Sequence, residues 1–188
     1  MDKVKINSVF VDMDGVTVDL ISGIKKLFGW PDEWYPKQYF IEDEWGIPFH
    51  DFVATIQAAG EDFWCDLKPI PEGVEMVRRF LEKTEHVVML SSPLCGAQSA
   101  SGKIKWLNEY IPEIKDKYII TVQKSYISGV GRLLIDDWGK NILSWCDKGI
   151  GIFLKSTYSD EYENKIHALT YKEIEKIIDE DIEYGGDV

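Results

Sequence analysis

The sequence is poor in cysteine and has no long apolar run. Three cysteines occur among 188 residues, and none of them forms a CxxC pair. This excludes a disulfide framework and a cysteine zinc site, so we expect reduced thiols. The apolar runs fall far short of the roughly 20 residues that span a membrane. The first residues, MDKVKINS, also lack the apolar region of a signal peptide. We therefore expect a cytoplasmic protein with no membrane partner.

Basic residues are scarce as well. There are 21 Lys and Arg against 33 Asp and Glu, which gives a net charge of −12. Long nucleic acids are bound through Lys and Arg that neutralise phosphates, so this balance excludes such a partner. It does not exclude a small phosphorylated ligand at one local site. The apolar fraction of 45% indicates a globular chain of one domain, or of one domain with an elaboration. A homodimer is left open.

Short apolar segments alternate with amphipathic ones along the chain. The first apolar segment, residues 9–11, runs into the sequence DMDG. Four similar segments follow it, at 86–92, 117–124, 132–137 and 149–155. Helical patterns lie between them, for example PEGVEMVRRFLEKTE and GKIKWLNEYI. This alternation predicts an α/β fold, with a parallel sheet flanked by helices.

One stretch interrupts the alternation. About fifty residues, 20–70, separate the first strand from the next regular unit, and they are rich in aromatic side chains. Two helices are predicted there, LISGIKKLFG and PFHDFVATIQAAG, with Gly29 and Gly60 as their C-caps. An insertion after the first strand would lie above the ligand edge of the sheet. The sequence thus predicts a core domain of residues 1–19 and 71–188, and a small helical cap of residues 20–70.

Polar side chains lie at the carboxyl ends of four of the predicted strands. The carboxyl ends of parallel strands share one edge, where ligands bind. The residues expected to meet there are Asp12 and Asp14, Ser91 and Ser92, Lys124, and Asp136 and Asp137. Clustered acids repel one another unless a cation compensates them, and Mg²⁺ binds carboxylates together with substrate phosphate. Carboxylates, Mg²⁺, a lysine and hydroxyls together indicate phosphoryl transfer.

Each of these signals has a simpler interpretation when it stands alone. DxDG can be a turn or a calcium loop, although Thr17 and Gly23 stand where that loop needs Gly and Glu. Ser91 and Ser92 can cap a helix, and a lone lysine is usually surface charge. Their joint occurrence at successive strand ends favours the catalytic interpretation.

The motifs VDMDGV, MLSSP, VQKS and LLIDDW resemble, in this order, motifs I to IV of the haloacid dehalogenase (HAD) superfamily of phosphatases. Together with DFWCDLKPIPEGVEMV, they resemble the 5'(3')-deoxyribonucleotidases over residues 9–154. The resemblance implies a Rossmann-like (HAD-like) parallel sheet with a cap after strand 1. It also implies a Mg²⁺-dependent phosphatase of (deoxy)nucleoside monophosphates that forms an aspartyl-phosphate.

The resemblance assigns a role to each motif residue. Asp12 would be the nucleophile and metal ligand, and Asp14 the general acid and base that also binds Mg²⁺ through its backbone carbonyl. The phosphate would be held by Ser91, Ser92 and Lys124. Asp136 and Asp137 would complete the metal site, with the direct ligand undecided. Phe63 and Trp64 would stack the base, or else pack the cap onto the core. Trp138 departs from the pattern, because a basic residue commonly follows the acid pair.

Two other functions stay open. The chain could be a HAD phosphatase for another small phosphorylated metabolite, or a nucleotide-binding protein without catalysis. A signalling receiver domain also combines acids, Mg²⁺ and a lysine. Its motif order differs from this one, and it has no place for a fifty-residue insertion.

Overall fold

The computed structural model describes residues 3–94, 96–162 and 164–185. Within these ranges the strands are β1 (Val4–Ile6), β2 (Ser8–Val11), β3 (Val87–Ser91), β4 (Tyr118–Ile120), β5 (Arg132–Asp136), β6 (Ile150–Leu154), β7 (Ala168–Leu169) and β8 (Ile182–Tyr184). The helices are α1 (Leu20–Phe28), α2 (Ile41–Glu44), α3 (Phe49–Cys65), α4 (Pro71–Lys83), α5 (Ala97–Tyr110), α6 (Gly139–Trp145) and α7 (Tyr171–Glu180).

The described strands form a six-stranded parallel sheet in the order β4-β3-β2-β5-β6-β7, and β1 pairs with β8 in a small second sheet. From β2 the chain moves outward to β3 and β4, and then returns to place β5 on the other side of β2. This reversal creates a crevice at the carboxyl ends of β2 and β5, where open α/β sheets bind their ligands. The α/β prediction agrees with this architecture.

Strand β2 shows why the first apolar segment is buried. Side chains alternate across a strand, so Val9 and Val11 share one face while Phe10 faces the other. Val9 and Val11 belong to the core that includes Val77 of α4. Phe10 packs in the second core, with its ring 5.2 Å from that of Trp145 in α6. Because both faces are covered, the strand carries an unbroken apolar run.

The segment predicted as a cap holds α1, α2 and α3. Gly29 ends α1 in the left-handed conformation with φ of 68°, as its C-cap role predicts. Gly60 also has a positive φ, 77° with ψ of −164°, and it ends the first helical segment of α3. The helix resumes directly after this kink and continues to Cys65. This resumption brings Trp64 into the common core, where it is 1% exposed.

The third predicted strand is shorter than expected. Strand β4 ends at Ile120, and residues Lys124–Ile127 form a 3-10 helix. The intervening Val122 is 79% exposed, so the chain has left the sheet before it reaches Lys124. Lys124 itself is buried again at 3% exposure. Strands β1, β7 and β8 and the short helix α2 were not predicted.

Helix α4 supports the loop that follows β2. The Ile70 N–H donates to the Thr17 carbonyl at 2.8 Å, and Gly73 lies against the same loop. A Cβ atom on Gly73 would stand 1.8 Å from the Val16 carbonyl oxygen, so only glycine fits there.

We therefore expect Gly73→Ala to lower the free energy of unfolding by about 1–3 kcal/mol, the usual cost of overpacking. Urea denaturation measures this change. Glu75→Ala, an exposed position on the same helix, is the matched control and should stay within about 0.5 kcal/mol of the unmodified protein. Equal effects of the two substitutions would contradict the packing role of Gly73.

Candidate active site

Three carboxylates meet at the carboxyl ends of β2 and β5. Single oxygen atoms of Asp12, Asp136 and Asp137 lie within 4.8 Å of one another, and all three residues are buried. The parallel register causes this proximity. Val11 is paired with Ile135, and the Asp12 N–H donates to the Ile135 carbonyl at 3.0 Å, so the acids that follow stand side by side.

The glycine in DMDG makes room for the acid pair. Gly15 has φ of 75°, a conformation that residues with a side chain rarely adopt. A Cβ atom at Gly15 would lie 1.8 Å from Oδ2 of Asp137. The motif therefore needs glycine for its turn and also for the close approach of this carboxylate.

Lys124 lies between two of the acids. Its Nζ is 2.7 Å from Oδ1 of Asp12 and 2.7 Å from Oδ2 of Asp136. Burial alone would lower the pKa of Lys124, but the carboxylates of Asp12 and Asp136 outweigh burial and hold its pKa above the usual range. The ammonium group therefore stays charged inside the site.

The two acids at the end of β5, Asp136 and Asp137, lie in different environments. Asp136 accepts hydrogen bonds from Lys124, from the Trp138 N–H at 2.9 Å and from Nδ2 of Asn141 at 3.0 Å. Asp137 accepts one from the hydroxyl of Tyr158. Burial raises the pKa of Asp136 to about 6, with a contribution from Asp12. Burial and the charges of Asp136 and Asp12 raise the pKa of Asp137 well above its usual value.

Asp14 has a separate partner. Nζ of Lys103, in helix α5, donates to Oδ2 of Asp14 at 2.5 Å, to Oγ of Ser91 at 2.8 Å and to the Ser92 carbonyl at 2.8 Å. Burial raises the pKa of Asp14, and the charge of Lys103 opposes that rise. Among the described residues, none donates a hydrogen bond to Oδ1 of Asp14.

A cavity of about 280 Å³ opens from these acids toward the cap. Asp12, Asp14, Ser92, Lys124 and Asp137 line its polar end. Aromatic rings line much of the remainder, namely Tyr39, Phe40, Phe49, Phe52, Trp138 and Tyr158. The Tyr39 ring from the cap segment stacks on Trp138 at 4.0 Å, with 8° between the planes. The cavity thus joins a charged end to an aromatic wall.

Not every predicted site residue reaches this cavity. Neither Phe63 nor Trp64 is among the described residues that line the cavity. Trp64 is buried in the core, and its ring lies 5.1 Å from Nζ of Lys103. This geometry does not support base stacking by Trp64. Ser92 lines the cavity, whereas Ser91 is 1% exposed and accepts the hydrogen bond from Lys103.

A family model described as "5' nucleotidase, deoxy (Pyrimidine), cytosolic type C protein" matches residues 5–182 of the chain. The chain belongs to this family. It is therefore a phosphoric monoester hydrolase of the 5'-nucleotidase type, and the predicted resemblance to deoxyribonucleotidases is confirmed.

A curated relative agrees with the nucleotidase assignment, and solved structures agree with the fold. The "5'(3')-deoxyribonucleotidase, cytosolic type" of Homo sapiens is 28% identical over 141 residues, which cover 69% of each chain. The nucleotidase also shares its fold with solved HAD hydrolases. One from Entamoeba histolytica is 15% identical with a TM-score of 0.52, and the match covers 93% of this chain and 100% of that one. Another, from Deinococcus radiodurans and solved with bound phosphate and sodium, is 12% identical with a TM-score of 0.50, covering 96% and 91%.

Three residues of the site, Lys103, Asn141 and Tyr158, were not predicted from the sequence of the nucleotidase. Lys103 carries a detectable signal, because it lies at helical spacing with Ser99 and Trp106 on the buried face of α5. A charged side chain on such a face needs a buried partner. Tyr158 follows β6 in a loop and gives no comparable signal.

Across the described residues, no helix combines the length and hydropathy needed to cross a bilayer.

Proposed function

We propose that this nucleotidase hydrolyses deoxynucleoside monophosphates with Mg²⁺ as its cofactor, through an aspartyl-phosphate formed on Asp12. The observation that supports this proposal most is the acid cluster of Asp12, Asp136 and Asp137. Its oxygens lie within 4.8 Å, beside Lys124 and at the end of a cavity with an aromatic wall. These are the groups that phosphoryl transfer requires.

The donor set fits a hard divalent cation. Asp136 is engaged by Lys124, Trp138 and Asn141, whereas Asp137 accepts only from Tyr158 among the described residues. We therefore assign Asp12 and Asp137 as direct carboxylate ligands, with the Asp14 carbonyl, and Asp136 as the acid that holds Lys124. Mg²⁺ bound there would offset the negative charge of the phosphate and of the attacking carboxylate.

Asp12 presents one oxygen for attack. Its Oδ1 accepts hydrogen bonds from Lys124 and from the Met13 N–H at 2.7 Å, which fixes the carboxylate. We assign Oδ2 as the atom that bonds to phosphorus. As the P–O ester bond breaks, the leaving oxygen takes a proton from Asp14. Asp14 then removes a proton from water, which attacks phosphorus and breaks the bond to Asp12.

Lys124 and Ser92 would hold the transferred phosphoryl group. An ammonium group has three N–H donors, and Lys124 uses two of them on Asp12 and Asp136. The third donor is then available for a phosphate oxygen, and Ser92 offers a hydroxyl on the cavity wall.

The aromatic wall supports a nucleoside as the leaving group. Bases stack on aromatic side chains, and Trp138 extends the wall directly from the acid pair. We propose that residues 20–70 act as a cap that encloses the base. The family description makes pyrimidine deoxynucleotides the first compounds to test, and the human relative's description supports a cytosolic location.

Asp12→Asn should abolish phosphate release from deoxynucleoside monophosphates, because the amide keeps the shape of Asp12 but is not a nucleophile. The expected loss in kcat is on the order of 10⁴-fold or more, measured by phosphate release with Mg²⁺ present. Asp147→Asn, an exposed acid, is the control. Near-normal turnover by Asp12→Asn would refute the aspartyl-phosphate. Phosphate release from sugar phosphates but from no nucleotide would favour the alternative of another phosphorylated metabolite. Nucleotide binding without any turnover would favour the non-catalytic alternative.

Chelation by EDTA should stop the reaction, and added Mg²⁺ should restore it. Asp137→Asn should raise the Mg²⁺ concentration for half-maximal rate by about tenfold or more. It should also reduce the rise in Tm that Mg²⁺ causes in the unmodified protein. Asp136→Asn should lower kcat with a smaller change in the Mg²⁺ requirement. Full activity in EDTA would contradict the metal site.

Trp138→Ala should lower kcat/KM for deoxynucleoside monophosphates by about 5- to 150-fold, the value of one lost base stack. Deoxyribose 5-phosphate keeps the sugar and the phosphate but lacks the base, so its kcat/KM should change little. Tyr35→Ala removes an aromatic ring that is 58% exposed on the cap segment and serves as the control. An equal loss with both substrates would show that Trp138 does not contact the base.

A further inference from the structure

The two buried lysines of the site differ in how their hydrogen-bond donors are used. Lys103 places all three N–H donors on protein acceptors: Oδ2 of Asp14, Oγ of Ser91 and the carbonyl of Ser92. Lys124 places two donors on protein acceptors. Lys103 therefore has no donor left for a phosphate oxygen.

We propose that Lys103 is a positioning residue that acts through Asp14. It anchors the carboxylate of Asp14 in the position from which that group exchanges the proton of the reaction. This inference rests on the proposed function, and it adds to that function a residue outside the four motifs.

The contacts of Asp14 support this role. Its Oδ2 is held by the ammonium group of Lys103, while its Oδ1 is buried and accepts no hydrogen bond from the described residues. Among the described side chains, Lys103 is therefore the one that fixes the direction of this carboxylate. Asp14 gives a proton to the leaving oxygen as the ester bond breaks, and later takes one proton from the attacking water.

The surroundings of Lys103 hold it in one place. Its side chain is 2% exposed, and its Nζ lies 5.1 Å from the centre of the Trp64 ring, within the range of a cation–π contact. The neighbouring Gly102 has no room for a side chain, since a Cβ atom there would lie 2.5 Å from Cβ of Trp64. Trp64, which was predicted to stack a base, thus packs against Lys103.

The test compares two leaving groups. Phenyl phosphate needs a proton for its leaving oxygen more than p-nitrophenyl phosphate does, and kcat/KM reports the step in which that oxygen departs. Without its anchor, Asp14 should donate poorly. We expect Lys103→Met to lower kcat/KM for phenyl phosphate by about 10- to 100-fold, part of the 10²–10⁴-fold typical of general acid catalysis. For p-nitrophenyl phosphate the expected loss is below about threefold, because that phenolate leaves without help.

A second comparison separates positioning from a general structural role. In an Asp14→Asn background, Lys103→Met should cause no further loss, because the residue through which it acts is already gone. Lys105→Met, two residues along the helix and exposed, is the matched control. Thermal unfolding of each variant shows whether it is folded, and Lys103→Gln replaces Lys103→Met if the latter is not.

The outcomes are distinct. Equal losses with the two aryl esters, or a full additional loss in the Asp14→Asn background, would overturn the role of Lys103. If the unmodified protein released phosphate neither from these esters nor from deoxynucleoside monophosphates with Mg²⁺ present, the proposed function would fail, and this inference would fail with it.

Discussion

The compensation of buried negative charge governs this structure. Asp12, Asp14, Asp136 and Asp137 gather at one edge of the sheet, and two lysines, Lys103 and Lys124, contact them. Four carboxylates and two ammonium groups leave an excess of two negative charges, which is the charge that one divalent cation balances. Burial and the neighbouring acids raise the pKa of Asp136 and of Asp137. Even when buried ions are paired, their removal from water costs free energy. A ligand whose charge balances the two remaining negative charges would therefore stabilise the site most.

This constraint explains why the acids cannot be exchanged for one another. The parallel register of β2 and β5 brings Asp12 and Asp136 side by side, and Lys124 then joins them. Asp137 turns toward Gly15 and Tyr158. Asp14 lies beyond the cluster and is balanced by Lys103 from another helix. The proposed nucleophile, the acid that holds Lys124, the proposed metal ligand and the proposed proton carrier are thus distinguished by their neighbours, although all four are aspartates.

Much of the grouping of polar side chains at the ligand edge of the sheet could be predicted from the sequence. The carboxyl ends of parallel strands share one edge, whatever the packing of the helices around the sheet. Asp12 and Asp137 are placed by this rule alone. Lys124 reaches the site although β4 ends at Ile120, since the 3-10 helix that begins at Lys124 returns it to the interior. The orientation of the cap aromatics could not be predicted. Trp64 and Trp138 are both tryptophans beside polar motifs, and only the packing of α3 against α5 decides that Trp64 is buried. Lys103 and Asp14 are 89 residues apart in the sequence. The sequence signal for their contact is limited to the position of Lys103 on the buried face of α5.

The cap segment contributes to the site in two different ways. Its last helix, α3, packs against α5 through Trp64 and Gly102, where no added atom fits, so this part is continuous with the core. Its middle part meets the core across the cavity through the stack of Tyr39 on Trp138. Such an aromatic pair is worth about 0.5–1.5 kcal/mol beyond its buried area, which is a small barrier to separation. Separating α3 from α5 would instead expose the buried ring of Trp64, at greater cost. A movement of the cap segment that widens the cavity would therefore separate Tyr39 from Trp138 and leave α3 in place against Lys103.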